Sequence, residues 1–163
     1  MEVVEDKVIR PDGTPGIYAY MKILPGIVVL PVDDAGFVYL LKEYHYPTGT
    51  KLLKPVSGGR DKGESALKAA KRELKEELGI TATKWVPLGS TNAFASTVDG
   101  RADMFLAQGL QFGEVNHEVT ETIHPVKLKF TKALEMITTG KISNGNTCVL
   151  LLKANYRLQR NKA

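Results

Sequence analysis

Hydrophobic and polar positions change their period several times along this chain, and each change marks an element. Residues 2–10 and 17–24 read as strands; in the second, Tyr18, Tyr20 and Lys22 alternate with Ile17, Ala19, Met21 and Ile23. The run Pro11-Asp12-Gly13-Thr14-Pro15-Gly16 between them is turn chemistry, so the two strands form an N-terminal hairpin over residues 1–24. Residues 26–32 and 37–44 are instead almost continuously apolar, as strands buried on both faces are, and Asp33-Asp34-Ala35-Gly36 turns between them. From Leu67 the period lengthens. Leu67, Ala70, Leu74 and Leu78 recur at helical spacing, Glu64 falls in the first turn where the dipole favours a negative charge, and Gly79 stands where a left-handed cap is expected. Residues 84–89, 102–107 and 123–130 predict further strands. Residues 132–139 predict a helix capped by Thr131 and stopped by Gly140, and a last apolar helix, capped by Asn146 or Thr147, runs to about Gln159.

Composition narrows the class. With 163 residues the chain is most simply one domain, residues 1–163, and 43% hydrophobic against 25% charged residues is ordinary for a globular protein. The formal net charge of +4 is scattered, with no basic run interleaved with aromatics, so nucleic acid is not an expected partner. The single cysteine, Cys148, excludes an intrachain disulfide framework; it precedes Val149-Leu150-Leu151-Leu152 and reads as a buried small hydrophobe. The N-terminus is acidic rather than leader-like, and no apolar run is long enough to span a membrane, so a cytoplasmic protein without membrane contact is expected. Trp85 reads as core or interface packing.

The chemistry concentrates between Gly58 and Ile80, where a glycine-containing loop runs into the first helix. Glu73, Glu76 and Glu77 occupy one arc of that helix beside the small Ala66, Ala69 and Ala70. Like charges at this spacing repel by about 0.2–0.5 kcal/mol per pair, and an ordinary solvated helix would alternate signs. Spacing alone leaves two readings: a solvated acidic helix, or a carboxylate cluster for a hard divalent cation completed by an anionic substrate. Arg72 lies at i, i+4 to Glu76 and is placed to orient it. Elsewhere, residues 90–101 form a long irregular loop of the functional kind, and Tyr18 and Tyr20 either pack their strand or stack on a base. His45 reads as a hydrogen-bonded strand-end residue, and His117 and His124 lack ligand-type spacing.

Gly58, five residues, Glu64, seven residues, then Arg72-Glu73-Leu74-Lys75-Glu76-Glu77-Leu78-Gly79-Ile80 carries every fixed position of the Nudix box. The chain resembles the Nudix hydrolases, and its layout is similar to the ADP-ribose and nucleotide-sugar pyrophosphatase branch. The resemblance implies an α/β fold, a mixed sheet between helices, with the N-terminal hairpin exchanged in a homodimer. It implies hydrolysis of a nucleoside diphosphate linked to X, with Mg²⁺ or Mn²⁺ withdrawing charge from phosphorus and acidifying water. Glu73, Glu77, the Ser57 carbonyl and Glu121 are then the metal ligands, Glu118 the base, and Glu76, Glu64 and Arg72 supporting groups. Gly58 and Gly59 would let backbone approach the ions, Tyr18 and Tyr20 would meet the base, and Lys54 either faces solvent or meets a phosphate. Three departures bear on the substrate: Lys54 stands where the branch carries Glu, Glu43 and His45 replace its Gln and Arg, and Ser96 replaces a proline. A Nudix hydrolase for a nucleoside triphosphate, a dinucleoside polyphosphate or an RNA 5′ end is the alternative, as is a module that senses ADP-ribose without turnover.

Overall fold

A computed structural model describes residues 1–92, 94–114 and 124–160. At its centre is a four-stranded mixed sheet of β6 (Val56–Gly59), β3 (Gly26–Pro31), β9 (Ala102–Phe112) and β7 (Ile80–Thr91), in that order. The inner pair β3–β9 is parallel and the outer pairs are antiparallel. The alternation of β3 builds the layers. Ile27 and Val29 pack with Ala69, Ala70, Leu74 and Leu78 of helix α1 (Ala66–Leu78). Their neighbours Val28 and Leu30 pack on the opposite face with Ala133 of α2 (Phe130–Thr138) and Leu150, Leu151 and Ala154 of α3 (Gly145–Arg160). The sheet thus lies between helices, as the sequence led us to expect, and each fully buried aliphatic side chain contributes about 1.5–3 kcal/mol.

A second sheet, β10 (His124–Lys129), β4 (Phe37–His45) and β5 (Thr50–Lys54), leans on both cores, because Leu41 belongs to one and Val38 and Leu40 to the other. The hairpin of β1 (Glu2–Ile9) and β2 (Pro15–Lys22) forms a third sheet with the two-residue strand β8 (Val98–Asp99), which pairs with Met21 and Lys22. Among the described residues no helix is long and apolar enough to cross a membrane.

Several local expectations need correction. Helix α1 starts at Ala66 and its N-cap is Ser65, whose hydroxyl accepts from the Lys68 N–H at 3.2 Å, so Glu64 precedes the first turn. Leu67 is 38% exposed; the buried stripe runs through Ala69 and Ala70 instead. Gly79 does cap the helix at φ +63°, its N–H donating to the Lys75 carbonyl. Helix α2 begins at Phe130, which puts Thr131 inside it rather than at its cap. At α3 the capping side chain is Asn144, whose Oδ1 accepts from the Thr147 N–H at 3.0 Å, not Asn146 or Thr147. Strands β7 and β9 are longer than the alternation indicated, because each continues past the core as an antiparallel ribbon. Cys148 is half-buried rather than buried, with its thiol bonded to the Ile142 carbonyl and pushed above its usual pKa by burial. Trp85 packs on the α1-side core, edge-on to Phe105, with its N–H donating to the Ala82 carbonyl.

Candidate active site

Helix α1 lies against β6, and this contact sets the site. A Cβ added at Gly58 would overlap the Glu73 carboxylate, so only glycine leaves room for that side chain against the strand. Burial raises the Glu73 pKa against the opposing pull of Arg72. One turn on, Glu77 is 13% exposed in its side chain and accepts the Ser57 N–H on Oε2 at 3.0 Å. Its burial outweighs that bond and the attraction of Lys54, and its pKa is pushed up to about 7.

Arg72 ties the loop to the helix. Its Nε and Nη2 donate to the two oxygens of Glu64 at 3.3 and 3.2 Å, and Nη2 also donates to the Gly59 carbonyl at 3.0 Å. Its Nη1 donates to Glu73 at 2.7 Å and to Glu76 at 3.0 Å. A guanidinium has five N–H groups in a fixed fork, and here all are engaged. The same contacts raise the Arg72 pKa, and together with the Asp61 N–H they hold Glu64 below the usual carboxylate range. Arg72 therefore orients Glu76, as its spacing suggested, and three further groups besides. Gly59 contributes a carbonyl to this network.

Lys54 is neither solvent-facing nor free. Its side chain is 14% exposed, and Nζ lies 2.6 Å from Glu43 Oε2 and 3.4 Å from Glu77 Oε1. The register explains the first pair: Glu43 opposes Leu52, so Lys54 is its diagonal neighbour on the same face. Burial lowers the Lys54 pKa, but attraction to Glu77 and Glu43 outweighs it and the net shift is upward. Glu43 Oε2 is buried, and the Lys54 ammonium is the group the structure sets against it. On α3, the buried Thr147 hydroxyl lies 3.0 Å from the Leu53 carbonyl, which steadies β5 beside Lys54.

Beside this cluster opens a cleft of about 390 Å³ whose wall includes Ser57, Gly58, Phe94, Gly100, Arg101 and Asn146. A second hollow of about 350 Å³ is bounded by Tyr18, Tyr20, Asn92, Ser96 and Asp99, and the two share Val98 and Gly100. Tyr18 donates its hydroxyl to the Ser96 carbonyl, so Tyr18 and Tyr20 stand at the hairpin hollow, apart from the carboxylates. Sequence reasoning gave no site role to Arg60, Arg101, Asp103 or Asn146, the last read only as a helix cap. Arg101 binds Asp103 at 2.6 Å, Arg60 lies 3.6 Å from the same carboxylate, and the Asn146 Oδ1 is buried without a hydrogen-bond partner among the described residues. An arginine directly after the glycines of the loop was the available signal for Arg60; Arg101 comes from just before β9, Asp103 from its start and Asn146 from the first turn of α3.

Glu118 and Glu121 lie outside the described residues, as does His117. Among the described residues no three acidic, histidine or cysteine side chains converge as a closed metal cage would. Two desolvated carboxylates, a glycine that makes room for one of them and the adjacent Ser57 backbone instead fit an open site for a hard divalent cation, whose remaining ligands come from substrate and water.

Comparison with known proteins agrees with this geometry. The chain is 26% identical over 163 residues to an ADP-ribose pyrophosphatase of Bacillus subtilis (strain 168), covering 98% of this chain and 88% of that protein. It is 26% identical over 111 residues to the ADP compounds hydrolase NudE of Escherichia coli (strain K12), covering 68% of this chain and 59% of that protein. A crystal structure of an ADP compounds hydrolase shares its fold at a TM-score of 0.87 and 22% identity, over 98% of this chain and 86% of the other. Residues 22–134, which hold the central sheet, α1 and the carboxylate cluster, match the NUDIX domain, and the chain belongs to the Nudix family.

Proposed function

We propose that this chain hydrolyses the pyrophosphate bond of a nucleoside diphosphate linked to a second group, ADP-ribose or a nucleotide sugar, releasing a nucleoside monophosphate and a sugar phosphate. The observation that carries this reading is the pairing of a desolvated carboxylate cluster with two adjoining hollows that share Val98 and Gly100. The first hollow abuts Ser57 and Gly58 beside the carboxylates and the second continues from it, which leaves room for the groups carried by a diphosphate bound at the cluster. The names of the similar proteins, which concern ADP-ribose and ADP compounds, support the nucleotide class.

Glu73, Glu77, the Ser57 carbonyl and, by resemblance, Glu121 would hold Mg²⁺ or Mn²⁺. A bound divalent cation supplies charge withdrawal from the diphosphate and acidifies water. The protein's own share is orientation. Gly58 lets Glu73 lie against β6, Ser57 N–H fixes Glu77, and Arg72 holds Glu64, Glu73 and Glu76 in one frame. Glu118 is the proposed base that takes the proton from the attacking water. The water oxygen bonds to one phosphorus while the bridging oxygen leaves on the other phosphate. The proposal includes a homodimer, supported by apolar side chains that β1 and β2 leave exposed, Val3, Ile9 and Ile17 among them.

The test is a substrate panel with Mg²⁺: ADP-ribose, several other ADP compounds, nucleotide sugars, nucleoside triphosphates, dinucleoside polyphosphates and capped RNA. The expected result is a nucleoside monophosphate from ADP-ribose or a sugar nucleotide. Turnover confined to triphosphates, dinucleoside polyphosphates or RNA would overturn the substrate class, and binding of ADP-ribose without hydrolysis under Mg²⁺ and Mn²⁺ would replace the enzyme by a sensor.

A further inference from the structure

Lys54 sets a positive charge against an oxygen of Glu77, one of the groups that would hold the metal ion. Both Glu77 oxygens are engaged: Oε2 by the Ser57 N–H at 3.0 Å and Oε1 by the Lys54 ammonium at 3.4 Å. The two carboxylates that Lys54 touches are not equivalent. Glu43 is the nearer, at 2.6 Å, and sits on the same sheet face through strand register, so that contact is held by β4 and β5 alone. The longer contact crosses from the sheet to helix α1. An ion at Glu77 would therefore displace Lys54 from the helix without stripping the ammonium of its other partner, Glu43.

We propose that Lys54 is a tethered competitor for the divalent cation at Glu77, resting on Glu43, and that it keeps metal affinity low in the free enzyme, so that uptake of the ion is favoured together with the negatively charged diphosphate. This rests on the reading of Glu77 as a metal ligand. Lys54 acts through Glu77, which makes it a positioning residue, and a purely structural lysine would have the opposite signature: its loss would loosen Glu77 and weaken metal binding.

The experiment is Mn²⁺ titration of the substrate-free protein by electron paramagnetic resonance, with Lys54→Met, Lys54→Gln, Lys54→Arg and Glu77→Gln, folding being checked by circular dichroism. Lys54→Met is expected to bind Mn²⁺ about tenfold more tightly, the scale of removing one partly buried ion pair. Lys54→Gln should shift in the same direction, which covers the case where the methionine variant fails to fold. Lys54→Arg retains the charge and should stay close to the parent. Unchanged or weaker Mn²⁺ binding in the neutral variants, alongside lost binding in Glu77→Gln, overturns the competitor role and leaves the metal site standing. Undiminished Mn²⁺ binding in Glu77→Gln removes the metal assignment and the competitor role together.

Discussion

In the segment from Gly58 to Gly79, charged side chains that leave water meet partners of opposite sign or backbone donors, whereas β1 and β2 turn apolar side chains outward with no strand or helix over them among the described residues. Glu64 has Arg72 and the Asp61 N–H; Glu77 has Lys54 and the Ser57 N–H. The hairpin pairs with the remainder through Met21–Val98 and Lys22–Asp99, while Ile17 is 61% exposed. One region is complete within a single copy. The other exposes apolar side chains of the kind a second copy would cover, which is the physical content of the proposed dimer.

The contrast breaks most sharply at Glu77. Glu77→Gln removes the charge but keeps the shape, so the fold should persist while kcat falls at least about 10²-fold, the scale for losing one directly used group. Near-parental turnover from the purified variant, measured as nucleoside monophosphate release, would remove Glu77 from the chemistry. Gly58→Ala tests the packing beneath the same cluster. The clash is with the far end of a flexible side chain, so Glu73 swings away; the stability loss in urea should be about 1 kcal/mol, with a larger loss in turnover. Equal activity would show that Glu73 need not lie on β6. The smallest effect on folding belongs to the hairpin. Ile17→Lys is expected to change monomer stability by no more than about 0.5 kcal/mol and to shift a dimer towards monomer in light scattering. A dimer of unchanged mass would place the interface elsewhere.

What the sequence made legible follows from range. Helix α1, its Gly79 cap and the Arg72–Glu76 pair depend on residues within a turn or two of each other, and these readings hold. Leu67 misled because it sits at the margin of the apolar stripe, where one residue's rotation decides exposure. The role of Lys54 depends on the β4–β5 register and on a helix 23 positions later, and neither is written in its neighbours. Strand β8 is two residues long and exists only because β2 passes beside it, too short for any period to announce. Arg101, just before β9, and Asn146, in α3, line one cleft from segments far apart in the chain, so local pattern could not join them.

The saturation of Arg72 constrains how the enzyme handles phosphate. An arginine near a diphosphate invites the role of anion clamp, yet this one has no N–H to spare. Any phosphate oxygen it gripped would have to evict one of its partners, and Glu64 or Glu73, both largely out of water, would then be left unanswered. Counter-charge for the leaving group then comes at less cost from elsewhere, and lysine, with three donors, could not replace this cross-brace even at equal charge.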